Sequence, residues 1–114
     1  MLRKGSGNII FTGATSAIRG RKGAVDFSSA QFARRGLADA MARELWPQGI
    51  HVSHVIIDGV IDTARVRKMY PMEADELLMS TDDIAENYWQ LVQQHQSSWA
   101  FEIAIRPHNE AFFE

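Results

Sequence analysis

The chain has 114 residues, of which 46% are hydrophobic and 23% are charged, with a formal net charge of −2 and no cysteine. These values are typical of one globular domain rather than a disordered chain, and they exclude a disulfide framework, a zinc-thiolate site and a thiol nucleophile. The near-neutral charge gives no long-range attraction to nucleic acid or anionic membranes, and no apolar run approaches the length of a membrane span. We therefore expect a soluble, cytoplasmic protein.

The N-terminal part of the chain predicts a strand followed by a loop. Residues 8–12, Asn-Ile-Ile-Phe-Thr, are mostly β-branched or aromatic and lie between Gly7 and Gly13, which favours a strand buried on both faces. The same apolar run is too short to be the core of a signal peptide. Residues 13–26 contain several glycines among small and charged residues and therefore predict a loop.

The central part predicts a long helix and a second strand. Apolar residues recur at three- and four-residue steps over 27–46, and Pro47 with Gly49 ends this pattern, so the longest helix is expected there. Its many alanines permit close approach on more than one face. Residues 51–57, His-Val-Ser-His-Val-Ile-Ile, predict a strand that ends at Asp58.

The C-terminal part predicts another helix and a third strand. An irregular stretch with one helical turn at 73–78 is expected to come first. Residues 82–95 then predict a helix that Ser80 or Thr81 can cap, with acidic residues at its positive end. Residues 99–105 alternate large apolar residues with smaller or charged ones, which is typical of a strand.

The order strand, helix, strand, helix, strand predicts an α/β fold with a parallel sheet. Parallel neighbours need a crossover of a dozen or more residues, and each predicted helix can form one. The sequence contains no internal repeat and no low-complexity segment that would suggest another architecture.

Five consecutive segments carry a family resemblance: GNIIFTGATSAIRG at 7–20, FSSAQFARRGLADAMARELWPQGIHV at 27–52, DGVIDT at 58–63, DDIAENYWQLV at 82–92 and WAFEIAI at 99–105. In the same order they resemble the fifth strand with its serine loop, the catalytic helix with the sixth strand, the proline-glycine loop, the last helix and the last strand of the short-chain dehydrogenase/reductase family.

This resemblance implies the C-terminal half of an NAD(P)-dependent oxidoreductase. The single domain 1–114 should then be a Rossmann-like partial three-layer α/β fold, without the first half of the family's sheet. The elements expected in it are parallel strands at about 8–12, 51–57 and 99–105 and crossover helices at about 27–46 and 82–95.

The resemblance also implies a degenerate active site. The family's Tyr-x-x-x-Lys signature falls on Phe27 and Gln31, and its serine, thirteen residues before the tyrosine, falls on Ala14. In the family the tyrosine hydroxyl gives or takes a proton while hydride moves, and the lysine lowers the pKa of that hydroxyl. Phe27 has no ionisable proton, Gln31 carries no charge and Ala14 cannot hold a substrate carbonyl. A shifted register with Ser28 as the proton donor would lack the acidity of a phenol.

The cofactor site of the family is only partly represented. The phosphate-binding turn Thr-Gly-x-x-x-Gly-x-Gly has no counterpart, because the Thr-Gly pair of FTGATSAIRG belongs to the serine loop. NAD or NADP is the cofactor that the resemblance implies, but none is expected to bind this chain alone, and the four histidines lack the spacing of a metal site. The cofactor-contact residues that match the family are Gly59, Val60, Ile61 and Thr63, whereas the family's proline is Asp58.

These observations favour a non-catalytic module that acts by association. The missing strands would leave the edge of strand 8–12 open, and an exposed apolar edge is a template for pairing. A homo-oligomer is expected through helix 27–46, or through helix 82–95 with strand 99–105, the elements that pair subunits in the family. The alternative is a fragment or half of an NAD(P)-dependent oxidoreductase that acts on a carbonyl or alcohol. Nucleic-acid binding through the basic run 19–22 and the pair Arg34-Arg35 is a distant third hypothesis.

Overall fold

Three parallel strands form one sheet, and helices connect them along the chain. The computed structural model describes residues 1–69 and 77–109. The strand order is β1-β2-β3, so β2 is central, and the predicted α/β fold is confirmed. The strands are β1 (Gly7–Ala14), β2 (Ile50–Ile57) and β3 (Glu102–Ile105), and the helices are α1 (Val25–Leu45), α2 (Ala64–Met69) and α3 (Thr81–Gln93).

The first strand is longer than predicted at both ends, and the first helix begins earlier than predicted. β1 continues to Ala14, because Gly13 and Ala14 pair with the last residues of β2, and one 3₁₀ turn over Thr15–Ala17 follows. α1 begins at Val25. The predicted loop 13–26 is therefore wrong at both ends.

The third strand is shorter than the predicted range 99–105. Trp99 donates its indole N–H to the carbonyl oxygen of Gln94, 3.2 Å away, and the side-chain oxygen of Gln94 accepts the backbone N–H of Ala100 at 2.8 Å. These bonds hold the first predicted residues against the end of α3 rather than in the sheet. Gln94 is already extended, so α3 ends at Gln93 and not at residue 95.

A short helix occupies part of the stretch that was predicted to be irregular. α2 begins after Thr63, whose hydroxyl accepts the backbone N–H of Val66 at 3.2 Å. The predicted helical turn at 73–78 lies largely outside the described residues. The predicted cap of α3 is confirmed for Ser80, whose hydroxyl accepts the backbone N–H of Asp83 at 3.3 Å.

The sheet carries α1 on one face and α3 on the other. Every residue of β2 is buried, and its alternate side chains point to opposite faces. Ile50 and Val52 pack with Ala42 of α1, whereas Val55 packs with Leu91 of α3. Within the two described ranges, no helix has both the length and the apolarity needed to cross a membrane.

The N-terminal half of α1 has polar residues on its buried side and large apolar residues outside. Ser28 and Gln31 are buried, whereas Phe27 and Phe32 are each about half exposed. A helix that packs on a sheet normally shows the opposite arrangement. Specific polar contacts therefore contribute to the position of α1 on the sheet.

The chain enters β2 through a glycine turn and an aromatic cluster. Gly49 has φ of +84°, and a Cβ there would lie 2.1 Å from the carbonyl oxygen of Gly5, so only glycine fits. The ring of His51 stacks on Trp99 with 4.6 Å between centroids, and the edge of Trp46 meets both rings. This cluster fixes the start of β2 against the segment before β3.

Candidate functional site

The carboxyl ends of the three strands meet at one edge of the sheet, where parallel α/β proteins bind their ligands. Three side chains that directly follow the strands meet there: Thr15 after β1, Asp58 after β2 and Arg106 after β3. Thr15 donates its hydroxyl to Oδ1 of Asp58, and Nη2 of Arg106 lies 2.9 Å from Oδ2 of Asp58. We call these three residues the strand-end cluster.

The strand-end cluster is a buried ion pair with one added hydroxyl. The side chain of Asp58 is 4% exposed and that of Arg106 is 10% exposed. The backbone N–H of Asp58 also donates to the carbonyl oxygen of Ile105 at 2.9 Å. A proline, which the family has at position 58, has no N–H for this bond. Asp58 therefore joins the ends of all three strands.

The sequence comparison with the family identified Asp58 as a departure but missed its partner. Arg106 neutralises the carboxylate that was expected to place a charge beside the cofactor ring. The pairing could have been predicted from the sequence, because an acidic residue after one strand and a basic residue after its parallel neighbour lie at the same edge of the sheet.

The three family catalytic positions lie near this edge but hold no catalytic group. Ala14 is the last residue of β1, and the 3₁₀ turn that follows it packs against α1. Phe27 is in the first turn of α1 and is 49% exposed, whereas Gln31, one turn later, is 6% exposed. A phenyl ring, an amide and a methyl group provide neither a general acid nor a general base at neutral pH.

The residues matched to the cofactor-contact loop are occupied by contacts within the chain. The carbonyl oxygen of Val60 accepts the N–H of Met79 at 2.8 Å, and Ile61 bridges Met79 in parallel. A Cβ at Gly59 would lie 2.8 Å from the ring of Pro107 and 2.9 Å from the sulfur of Met79, so this glycine is closely packed.

Thr63 contributes to the start of α2 rather than to an open site. Its hydroxyl caps that helix, and the neighbouring Asp62 forms a bidentate ion pair with Arg67, at 2.6 and 2.9 Å. The hydrogen bond from Arg67 lowers the pKa of Asp62. With Asp58 already paired, the groups at this edge do not fit the nicotinamide end of NAD(P) in the family's manner.

A second polar cluster lies beneath α1 and was not predicted. His54 of β2 is fully buried, and its Nδ1 lies 3.0 Å from Oε2 of Glu102 on β3. Nε of Arg35 lies 2.6 Å from the same oxygen, and Nη2 lies 3.2 Å from the other carboxylate oxygen. The imidazole also rests on Gly13, where a Cβ would lie 2.5 Å from Nε2.

In this second cluster, burial and the neighbouring charges act in opposite directions on the pKa of Glu102. Burial raises the pKa of Glu102, but the hydrogen bonds and charges of Arg35 and His54 outweigh burial and lower the pKa below its ordinary value of 4.5. The hydrogen bond to Glu102 raises the pKa of Arg35. Glu102 is therefore an ionised carboxylate that connects α1 to β2 and β3.

An open groove of about 420 Å³ lies between the end of β3 and the start of α3. Its walls are largely apolar and include Met79, Ile84 and Ile105, with the polar residues Asp83 and Asn87 at its rim. Across residues 1–69 and 77–109, no three His, Asp or Glu side chains gather in a way that could hold a metal ion.

Comparisons with known proteins agree with the three-stranded parallel sheet described above. A family model described as short chain dehydrogenase matches residues 1–74. The crystal structure of a short-chain dehydrogenase from Rhodopseudomonas palustris is 42% identical, with a TM-score of 0.72 over 95% of this chain and 42% of that chain. The closed form of serine dehydrogenase complexed with NADP+ is 14% identical, with a TM-score of 0.82 over 100% of this chain and 49% of that chain.

A third structure, 4-hydroxyisoleucine dehydrogenase complexed with NADH, is 21% identical, with a TM-score of 0.68 over 86% of this chain and 44% of that chain. This chain thus spans less than half the length of each of these three proteins. The two more distant structures share its fold, whereas the family model and the 42% identity extend the likeness to the sequence. The chain belongs to the short chain dehydrogenase family.

Proposed function

We propose that this chain is a short-chain dehydrogenase-like module that is non-catalytic on its own and acts by association. The observation that carries this proposal is the strand-end cluster, because a buried ion pair lies at the sheet edge where the family would hold its cofactor ring. The residues at the catalytic positions support it: Phe27, Gln31 and Ala14 have no group that can exchange a proton.

The outward face of α1 supports an association role. Gly36 lies in the middle of this helix, and a Cβ there would meet no atom within 4 Å. Glycine in a helix interior lowers stability by about 1 kcal/mol relative to alanine. Because an alanine would fit at position 36 without a clash, the glycine brings no benefit to the isolated chain. Leu37 is exposed beside it, and Ala33 and Ala40 lie on the same helix face. A second helix could approach this face closely.

The last helix with the last strand is the second association surface. Trp89 of α3 is 54% exposed, and an indole of this size on a surface is typical of protein interfaces. We expect a homo-oligomer through α1, or through α3 with β3, in a soluble protein of the cytoplasm that binds neither nucleic acid nor membranes.

Titration of the purified chain with NADH and NADPH, followed by reduced-nicotinamide fluorescence, tests the absence of a cofactor site. We expect no saturable binding at millimolar cofactor and no turnover with carbonyl or alcohol substrates. Saturable binding with turnover would overturn the non-catalytic part of the proposal.

Light scattering coupled to gel filtration tests the association part. We expect a dimer or larger species, and Leu37→Glu should shift it to monomer because the charge would be buried against the second helix. Val25→Glu is the matched control, since it makes the same kind of change at the first position of α1, where the side chain is 80% exposed. A wild-type chain that is monomeric at high micromolar concentration would contradict the proposal.

The second candidate function is one half of an NAD(P)-dependent oxidoreductase that acts on a carbonyl or alcohol. It is supported by relatives that are complexed with NADP+ or NADH and are more than twice as long as the part matched here. An upstream reading frame in phase with Met1 that encodes a Thr-Gly-x-x-x-Gly-x-Gly turn would favour it. Absence of such a frame would favour the association module.

A further inference from the structure

The groove between the end of β3 and the start of α3 is a ligand-sized space with apolar walls. Its volume of about 420 Å³ lies within the range of small-molecule sites, which is about 300 to 1,000 Å³. Three segments form the walls: the stretch before α3, the first turns of α3, and the end of β3 with the residues that follow it. Their apolar members are Leu77, Leu78, Met79, Ile84, Ile105 and Pro107. Such walls favour a ligand with a hydrocarbon body.

Two side chains one turn apart on α3, Asp83 and Asn87, line the groove and offer hydrogen-bond acceptors. The side-chain N–H of Asn87 donates to the backbone carbonyl oxygen of Asp83 at 3.0 Å, which leaves Oδ1 of Asn87 as an acceptor. The backbone N–H of Asp83 is bonded to the hydroxyl of Ser80, whereas its carboxylate forms no hydrogen bond or ion pair with any residue that the structure describes. The groove therefore has an unpaired carboxylate with an amide oxygen one turn away.

The charge around the mouth of the groove is negative. The residues of α3 include three acidic side chains and no basic one, and the positive end of a helix offsets only about half of one charge. The guanidinium of Arg106 also lines the groove, but it is paired with the carboxylate of Asp58. His108, the third ionisable side chain at the groove, is exposed to solvent. A cation is therefore the charge that complements this mouth.

We propose that this groove binds a small organic ammonium ion with an apolar body, such as an arylalkylamine. The –NH₃⁺ group has three donors and bonds the carboxylate of Asp83 and Oδ1 of Asn87, while the hydrocarbon packs on Met79, Ile84 and Ile105. A carboxylate ligand is repelled by Asp83, and a neutral alcohol lacks the charge of the stronger hydrogen bond. The inference adds a ligand site to the association role proposed above and does not depend on that role.

The ligand site and the association surfaces lie apart. Successive residues of an α-helix are about 100° apart around its axis, so Trp89 lies about 160° away from Asn87, on the opposite side of α3. The indole of Trp89 is 54% exposed, whereas Ile84 packs against the core. A second copy that covers Trp89 therefore leaves the Asn87 side of α3 uncovered, and ligand binding can be measured separately from association.

A nuclear magnetic resonance titration of the whole chain at pH 7 with 3-phenylpropan-1-amine tests the proposal residue by residue. This amine is protonated at pH 7, as lysine is. We expect saturable shifts at the amides of Ile84, Asn87 and Ile105, with a dissociation constant of roughly 1 mM or lower. Two matched ligands, 3-phenylpropan-1-ol and 3-phenylpropanoate, should bind at least about tenfold more weakly. Methylammonium lacks the apolar body and should not bind at the same concentrations.

Variants at the mouth of the groove test the role of charge. Asp83→Asn removes the charge and keeps the shape of the side chain, so amine binding should weaken by about tenfold. Asp82→Asn is the matched control, because it removes the neighbouring charge from a residue that does not line the groove. It should change amine binding by less than about twofold. Asn87→Asp places a second carboxylate beside Asp83 and should tighten amine binding by about twofold to tenfold. Binding of the alcohol should change little in all three variants.

Three outcomes would overturn the proposal. They are the absence of saturable shifts up to about 10 mM amine, equal binding of the amine, the alcohol and the carboxylate, and equal effects of Asp83→Asn and Asp82→Asn. The association role has a separate readout, because Leu37→Glu should remove self-association and leave amine binding unchanged.

Discussion

Arg106 and Asp58 form a buried ion pair across the carboxyl ends of two neighbouring strands, with 2.9 Å between Nη2 and Oδ2. Because Thr15 donates to the other carboxylate oxygen, one carboxylate connects the ends of β1, β2 and β3. In an enzyme of this fold the same edge is kept for ligand. Here its polar groups hold the chain together, so the sheet edge has a structural role that can be measured as stability.

Removing the arginine should destabilise the fold strongly. Arg106→Met leaves the carboxylate of Asp58 buried without its counter-charge, and such a change typically costs about 3 kcal/mol or more. Urea denaturation followed by circular dichroism measures this loss. The control is Arg43→Met, which breaks the exposed pair with Asp39 and should cost less than about 1 kcal/mol. Equal losses in the two variants would contradict the assignment.

Acid should weaken the contacts that Glu102 makes with α1. The pKa of Glu102 is lowered in the folded chain, so between its folded value and its ordinary value of 4.5 the unfolded chain binds more protons. This stabilisation is present above the ordinary value and is lost as the pH falls through the folded value. Urea midpoints from about pH 3 to 6 should therefore show a stability gap between wild type and Glu102→Gln that narrows in acid. A gap that is constant with pH would contradict this prediction.

Two glycine-to-alanine variants should change stability in opposite directions. Gly49→Ala forces a Cβ onto the carbonyl oxygen of Gly5 at a positive φ, so thermal unfolding should occur at a markedly lower temperature. Gly36→Ala meets no atom and should stabilise the monomer by up to about 1 kcal/mol. If α1 associates closely with a second helix, Gly36→Ala should also weaken the oligomer. Gel filtration at several concentrations separates the two effects.

Restoring the family's catalytic side chains should not restore catalysis. The triple variant Ala14→Ser, Phe27→Tyr, Gln31→Lys supplies the missing hydroxyls and amine, but the strand-end cluster and the absent phosphate-binding turn remain as they are. We expect no NADH or NADPH oxidation above the blank in an absorbance assay. Circular dichroism should first establish that the variant is folded. Measurable turnover would favour the alternative that the chain is part of an oxidoreductase.

The order of elements could be predicted from sequence because it depends on local patterns. The apolar run of β2 and the proline-glycine stop after α1 are both visible along the chain, and their positions agree with the structure. The late start of β3 was not predictable, since it depends on bonds that Gln94 makes to residues five and six positions later. The long crossovers likewise gave no indication of which strand would be central.

The positions of the site residues could be predicted from the sequence, but the contacts between their side chains could not. The family alignment located Asp58 and the altered catalytic residues, but Asp58 and its partner Arg106 are separated along the chain by the whole crossover between β2 and β3 and by β3 itself. The cluster of Arg35, His54 and Glu102 was missed for the same reason, since its members come from three different elements. Periodicity identifies apolar faces, but the buried side of α1 is polar in its N-terminal half, so the apolar pattern did not indicate the cluster.

The fully buried central strand has a consequence for the folding of the nascent chain. Its partner residues are distant, because His54 pairs with Glu102, which lies 48 positions later. At a synthesis rate of about 5 to 20 residues per second, roughly 2 to 10 seconds pass between the translation of these two residues. Throughout that interval the apolar segment HVSHVII lacks its partner strand β3. No local hairpin can pair with that edge of the segment in the meantime. The chain should therefore depend on chaperones during synthesis more than its small size suggests.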